Sequence, residues 1–164
     1  MANLSQKETF LLQDQKKHEE LCIKKYNNYA SQARDPQLKQ LFSSLAQKEQ
    51  QHLNTINQIM SGQTPSMNQQ QQANQNQQGQ QNMVNQNIQT KPMGQSGMTN
   101  QSDVELCNDM LMTEKYVSGT YDTAIFEFRD ANIRQVLNHI QKEEQQHGES
   151  IFNYMQSKGM YNPQ

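Results

Sequence analysis

Between Glu49 and Lys91 the sequence contains no Asp, Glu, Lys or Arg, and from Gln63 to Gln89 it is nearly all Gln and Asn. Such a tract cannot repay the entropy of its ordering by burying apolar surface. The 164-residue chain must therefore build its core from the two ends, which accounts for a hydrophobic share of only 32%. No run approaches the ~18 apolar residues that a membrane-spanning helix needs. The opening Met1-Ala2-Asn3-Leu4-Ser5-Gln6 has no basic stretch leading into an apolar one, so a soluble protein without a cleaved export signal is expected. An excess of one charge is missing too: 14 basic and 16 acidic residues leave a net charge of −2, no footprint for nucleic acid or an anionic membrane, and neither is expected as a partner. Cysteine is scarce. Cys22 and Cys107 form no framework and no CxxC pair, and read as buried free thiols in a reducing cell.

What is present is a repeat. An offset of 95 residues aligns the two ends without a gap. Arg34-Asp35 falls on Arg129-Asp130, Gln40 on Gln135, Glu49-Gln50-Gln51-His52 on Glu144-Gln145-Gln146-His147, Ile56 on Ile151 and Met60 on Met155. Upstream, Glu19 falls on Glu114 and Tyr26 on Tyr121.

Each half reads as two helices meeting at the Arg-Asp pair. Asp35 and Asp130 are good N-caps and Pro36 suits a first helical position. Ser5-x-x-Glu8 and Ser102-x-x-Glu105 have the form of capping boxes, and Gly62 and Gly159 that of stops. The predicted helices are residues 6–33, 36–60, 103–128 and 131–157. Their seams follow heptad spacing: Leu12, Glu19, Cys22, Tyr26, Tyr29 and Ala33; Leu38, Phe42, Leu45, Glu49, His52, Ile56 and Ile59; Cys107, Met110, Glu114, Val117, Tyr121, Ala124 and Phe128; Ile133, Leu137, Ile140, Glu144, His147, Ile151 and Tyr154. Four such stripes need one another for burial, so the fold class is all-α, a four-helix bundle of two hairpins, residues 1–62 and 102–164. Residues 63–101 read as a disordered linker. Helices of 25 residues are about 37 Å long, and a flexible segment of ~40 residues can run back along them and start the third helix parallel to the second. That crossover is the ferritin-like topology. The Gln/Asn richness also fits an adhesive, assembly-prone segment, and a flexible linker permits exchange of hairpins between chains, a route to a homo-oligomer.

All four seams are interrupted at one level by ionisable groups: Glu19, Glu49 with His52, Glu114, and Glu144 with His147. Glu19 lies 16 residues before Asp35 and Glu49 lies 14 after it; the second half repeats both spacings around Asp130. At ~1.5 Å per residue the carboxylates of each hairpin reach nearly the same depth. His52 and His147 follow their glutamates by about one turn and share their face. A glutamate from each of two helices and Glu-x-x-His from each of the other two is the ligand set of ferritin-like di-iron and di-manganese proteins. A lone Glu-x-x-His would carry little weight, since a charged patch on a helix is usually a solvated face; six ligands at matched depth on four seams carry much more. Four buried carboxylates without counter-charge would cost several kcal/mol each, on the order of the effective penalty for an unpaired buried ion. Two divalent cations cancel the four charges, and carboxylate with imidazole suits iron or manganese first and zinc next. Tyr26 and Tyr121, two turns along the same seams, are candidates to hydrogen-bond the ligands or to carry an oxidising equivalent, or are core residues with a satisfied hydroxyl. Cys22 has no counterpart in the repeat and is left out of the site. Glu20 and Glu143 point off the seam and read as exposed.

The stretch from Glu20-Leu21-Cys22-Ile23-Lys24-Lys25-Tyr26 through Asp35-Pro36-Gln37-Leu38-Lys39-Gln40-Leu41-Phe42 to Glu49-Gln50-Gln51-His52 resembles the bacterial spore coat protein F family, and Asp130 to His147 looks like a more divergent copy. The resemblance implies a structural role in the spore coat beside other coat proteins, with synthesis in the mother-cell cytoplasm during sporulation. The family brings no reaction with it. The full ligand set leaves the other function open, a di-iron or di-manganese oxidase or peroxide-handling enzyme of catalase-like or rubrerythrin-like kind.

Overall fold

The computed structural model describes residues 3–65 and 101–161. Four α-helices account for most of them: α1 (Gln6–Gln32), α2 (Pro36–Met60), α3 (Gln101–Glu127) and α4 (Ala131–Ser157). The predicted linker lies outside the described residues, apart from its two ends.

Local chemistry sets most of the helix ends. Ser5 and Glu8 form the expected capping box, each accepting from the other's backbone N–H. Asp35 accepts from Gln37 N with Pro36 in the first position, and Asp130 accepts from Asn132 N and Ile133 N. Each such cap is worth about 1 kcal/mol. Gly62 and Gly159 adopt φ of 83° and 67°. Around them Gln63 N donates to Gln58 O and Gly62 N to Ile59 O, and Met160 N donates to Met155 O and Gly159 N to Gln156 O. Both pairs are Schellman closures, which a residue with a Cβ fills less readily.

The start of α3 departs from expectation. The helix is already running at Gln101, so Ser102 stands in its first turn and not at its N-cap. Its neighbour Asp103 is buried and accepts the backbone N–H groups of Arg34 (2.9 Å) and Asp35 (3.0 Å) at the α1–α2 joint. Glu8, 95 residues earlier, does the same at the α3–α4 joint, accepting from Arg129 N at 2.9 Å and from its guanidinium at 3.0 Å. Each hairpin's turn is thus closed by a buried acid from the other hairpin.

Lys7 pairs with Glu127 near one end of the molecule, and Tyr29 donates to Asp109 near the other. So α1 and α3 are antiparallel, and α3 runs the same way as α2. Every seam residue predicted from the sequence is buried except Tyr29, which is half-buried. The buried set also includes Gln15, Ala46, Leu106, Val136 and Met155, on the flanks of the stripes. Full burial of side chains such as Phe42, Ile56, Leu137 and Ile151 contributes about 1.5–3 kcal/mol each. Cys22 and Cys107 are buried free thiols; burial pushes the Cys107 thiol up to about 12 and Cys22 higher still. Among the described residues no helix is long and apolar enough to cross a membrane.

Candidate metal centre

The six residues that interrupt the seams converge in one buried layer. Glu19 stands on α1, Glu49 and His52 on α2, Glu114 on α3, and Glu144 and His147 on α4, all buried. His52 Nδ1 lies 2.9 Å from Glu144 Oε1, 3.2 Å from Glu49 Oε2 and 3.7 Å from Glu19 Oε2. His147 Nδ1 lies 3.0 Å from Glu49 Oε1, 3.7 Å from Glu114 Oε1 and 3.8 Å from Glu144 Oε2. The two imidazoles stack at 5.5 Å with an interplanar angle of 15°.

These contacts divide the layer into two four-donor groups, one of Glu19, Glu49, His52 and Glu144 and one of Glu49, Glu114, Glu144 and His147. In each group the donor atoms lie within 4.8 Å of one another. Donors held ~2.0–2.2 Å from a tetrahedral cation such as zinc stand about 3.3–3.6 Å apart around it, so the widest pairs would draw in by about an ångström on binding. Glu49 and Glu144 belong to both groups and turn one oxygen toward each imidazole, as bridging carboxylates would. Glu19 and Glu114 each belong to one.

The donor set carries unmet demand. Glu19 Oε2, Glu114 Oε2 and both oxygens of Glu144 are buried with no hydrogen-bond donor among the described residues. Glu144 Oε1 is close to His52 Nδ1, yet the geometry is not that of a hydrogen bond, so the acceptor is left unused. Buried carboxylate oxygens without donors are costly, and a divalent cation is a partner of the right sign and chemistry for them.

Electrostatics point the same way. Burial pushes the Glu19 carboxyl up to about 7, against the lowering effect of His52. Burial also drives Glu144 well above the usual carboxylate range, with the charges of Glu49 and Glu19 adding to it. At Glu49 burial acts in the same direction, but hydrogen bonds from His147 and His52 outweigh it and hold the carboxyl below its usual range. Burial disfavours the charged imidazoles, yet the carboxylates around them prevail, raising His147 to about 9 and His52 well above its usual value. Without a cation the layer offsets its negative charge with protons, which a bound metal would displace.

Tyr26 and Tyr121 stand where the ligands need orienting. The Tyr26 hydroxyl, on α1, donates to Glu114 Oε1, and that of Tyr121, on α3, donates to Glu19 Oε1. Burial, with the neighbouring carboxylates, raises both phenols far above their usual range, so they keep their protons and serve as donors. The residue that sequence reasoning missed is Glu143. Its side chain is 14% exposed and its Oε2 lies 3.0 Å from His52 Nε2 and 3.4 Å from His139 Nε2. It sits off its own helix's seam, and only the approach of α2 turns that flank inward; Glu20 is exposed as expected.

Residues 102–164 match the family model described as the Coat F domain. The second hairpin is similar to the Coat F domain. The Coat F residues span nearly all of α3, the α3–α4 joint and α4, and so include Glu114, Glu144, His147, Tyr121 and Glu143. They form the hairpin that is the more divergent copy in sequence, and the first hairpin, which carries the plainer resemblance, lies outside the match. No match to the chain is found among curated proteins or solved structures.

Proposed function

We propose that this chain is a spore coat protein whose ferritin-like bundle is held together by two divalent metal ions, iron or manganese before zinc. The observation that carries the metal reading is the pair of buried four-donor groups sharing Glu49 and Glu144, with carboxylate oxygens that lack a donor among the described residues. The Coat F domain supports the place in the coat, synthesis in the mother cell and association with other coat proteins. In this reading Glu19, Glu49, His52, Glu114, Glu144 and His147 hold the ions, while Tyr26 and Tyr121 fix the carboxylates of Glu114 and Glu19 in position. Metal binding would neutralise a charge layer that otherwise opposes folding.

The test is the metal content per chain of protein purified without chelator, beside the Glu49→Ala, Glu144→Ala double variant, with thermal unfolding of both. About two ions per chain are expected in the wild type and few in the variant. A metal-free wild type no less stable with its ligands than without them would remove the metal and leave the coat role alone.

A second reading has one observation in its favour, the two buried phenols hydrogen-bonded to ligand carboxylates. It is a redox enzyme acting on oxygen or peroxide. Protein loaded with iron or manganese should then consume one of them, with the activity lost in Glu144→Ala; equal consumption by both would point to free metal in solution.

A further inference from the structure

The repeat that builds the metal layer is broken immediately beside it. Glu143 has Lys48 as its counterpart across the 95-residue offset, and His139 has Ser44. At the positions that the repeat pairs beside His52 and His147, the sequence therefore offers a glutamate and a lysine.

We infer that the two metal positions are unequal, and that the one around His52 is the tighter because Glu143 anchors the outer nitrogen of that imidazole while the repeat gives His147 a lysine in the corresponding place. This rests on the metal reading above.

His52 turns Nδ1 toward the carboxylates and Nε2 toward Glu143 Oε2, 3.0 Å away. An imidazole that binds a metal through Nδ1 must carry its proton on Nε2, and Glu143 is placed to accept that N–H. The bond fixes the tautomer, restrains the ring about its own axis and makes the coordinating nitrogen a better donor; an outer partner of this kind is typically worth about 10–100-fold in metal affinity. Glu143 is largely withdrawn from water, and a second imidazole, His139, lies 3.4 Å from the same oxygen without hydrogen-bonding to it. On the other side a lysine ammonium is a donor only and cannot accept the Nε2 proton of His147. Glu143 is thus a positioning residue, acting on the metal through His52.

The experiment is a calorimetric titration of the metal-free full-length chain with Co(II), followed in parallel by the visible absorption of bound cobalt. Two steps at least about 10-fold apart are expected in the wild type. Glu143→Ala should weaken the first step by about 10-fold or more while leaving the second in place, with Glu143→Gln, which keeps an acceptor, falling between them. Lys48→Glu should tighten the second step. One step of two equal ions in the wild type, or a Glu143→Ala variant that weakens both steps alike or neither, would overturn this inference and leave the metal centre standing. No uptake of Co(II) by the wild type would overturn both. Far-ultraviolet circular dichroism checks that the variants fold.

Discussion

Tyr121 and Tyr26 are the side chains whose loss is easiest to read. Changing Tyr121 to Phe removes the hydrogen bond to a buried Glu19 oxygen, so the metal-free protein should lose about 1–3 kcal/mol in urea unfolding. Glu144 should behave in the opposite way. Among the described residues neither of its oxygens has a donor, burial already drives its carboxyl toward the neutral form, and an amide of similar shape is neutral without that cost. Glu144→Gln should therefore raise the stability of the metal-free protein by roughly 1 kcal/mol and lower that of the metal-loaded protein. Melting temperatures measured with chelator and with added Mn(II) should cross between wild type and variant; parallel shifts would count against a bound ion. The six candidate ligands were legible because the repeat states them twice at matched depth. Glu143 was not, since its role depends on which flank of α4 the neighbouring helix covers, and a single helix's periodicity carries no such information.

At the scale of helices and joints, the reciprocal acids are the most exposed to test. Asp103→Ala strands the N–H groups of Arg34 and Asp35, and should cost about 1–3 kcal/mol and speed hydrogen exchange at those two amides above their neighbours. Glu8 makes a prediction in pH. Burial alone would raise its carboxyl, but the side chain and backbone of Arg129, with Ser5, lower it from 4.5 to about 2. A depressed carboxyl contributes its stability above the unfolded value and loses it as pH falls toward the folded one. The gap in melting temperature between wild type and Glu8→Gln, equivalent to roughly 1 kcal/mol because water screens the guanidinium, should be constant above pH 5 and close between 4.5 and 2. Both acids were hard to see in advance. Glu8 looked like a capping-box residue and is one, with a second task added; Asp103 sat beside a Ser-x-x-Glu pattern that the helix overran, because what matters there is the joint across the bundle and not α3's own end.

For the molecule as a whole, metal should act as a ligand of the folded state alone. Free ion at 100 times its dissociation constant adds about 2.7 kcal/mol, so chelator should lower the melting temperature by on the order of 10 °C, and the Glu49→Ala, Glu144→Ala variant should be indifferent to it. The pairing of helices into hairpins and of hairpins into a bundle was legible from heptad stripes that no single hairpin can bury. The run of the chain between the hairpins was not, and residues 66–100 lie outside the structure's described part.

The sharing of Glu49 and Glu144 between the two donor groups has a consequence for assembly. Neither hairpin holds four donors for any one ion: the first lacks Glu144 for the His52 group, and the second lacks Glu49 for the His147 group. Two separate hairpins would have to find each other in solution, and the site would vanish on dilution. Joined in one chain, the halves meet at an effective concentration set by the connecting segment, so the site can form at any protein concentration. Fusion also frees the copies to differ, and a lysine at 48 where the other copy has a glutamate at 143 is a distinction that an assembly of identical hairpins could not draw.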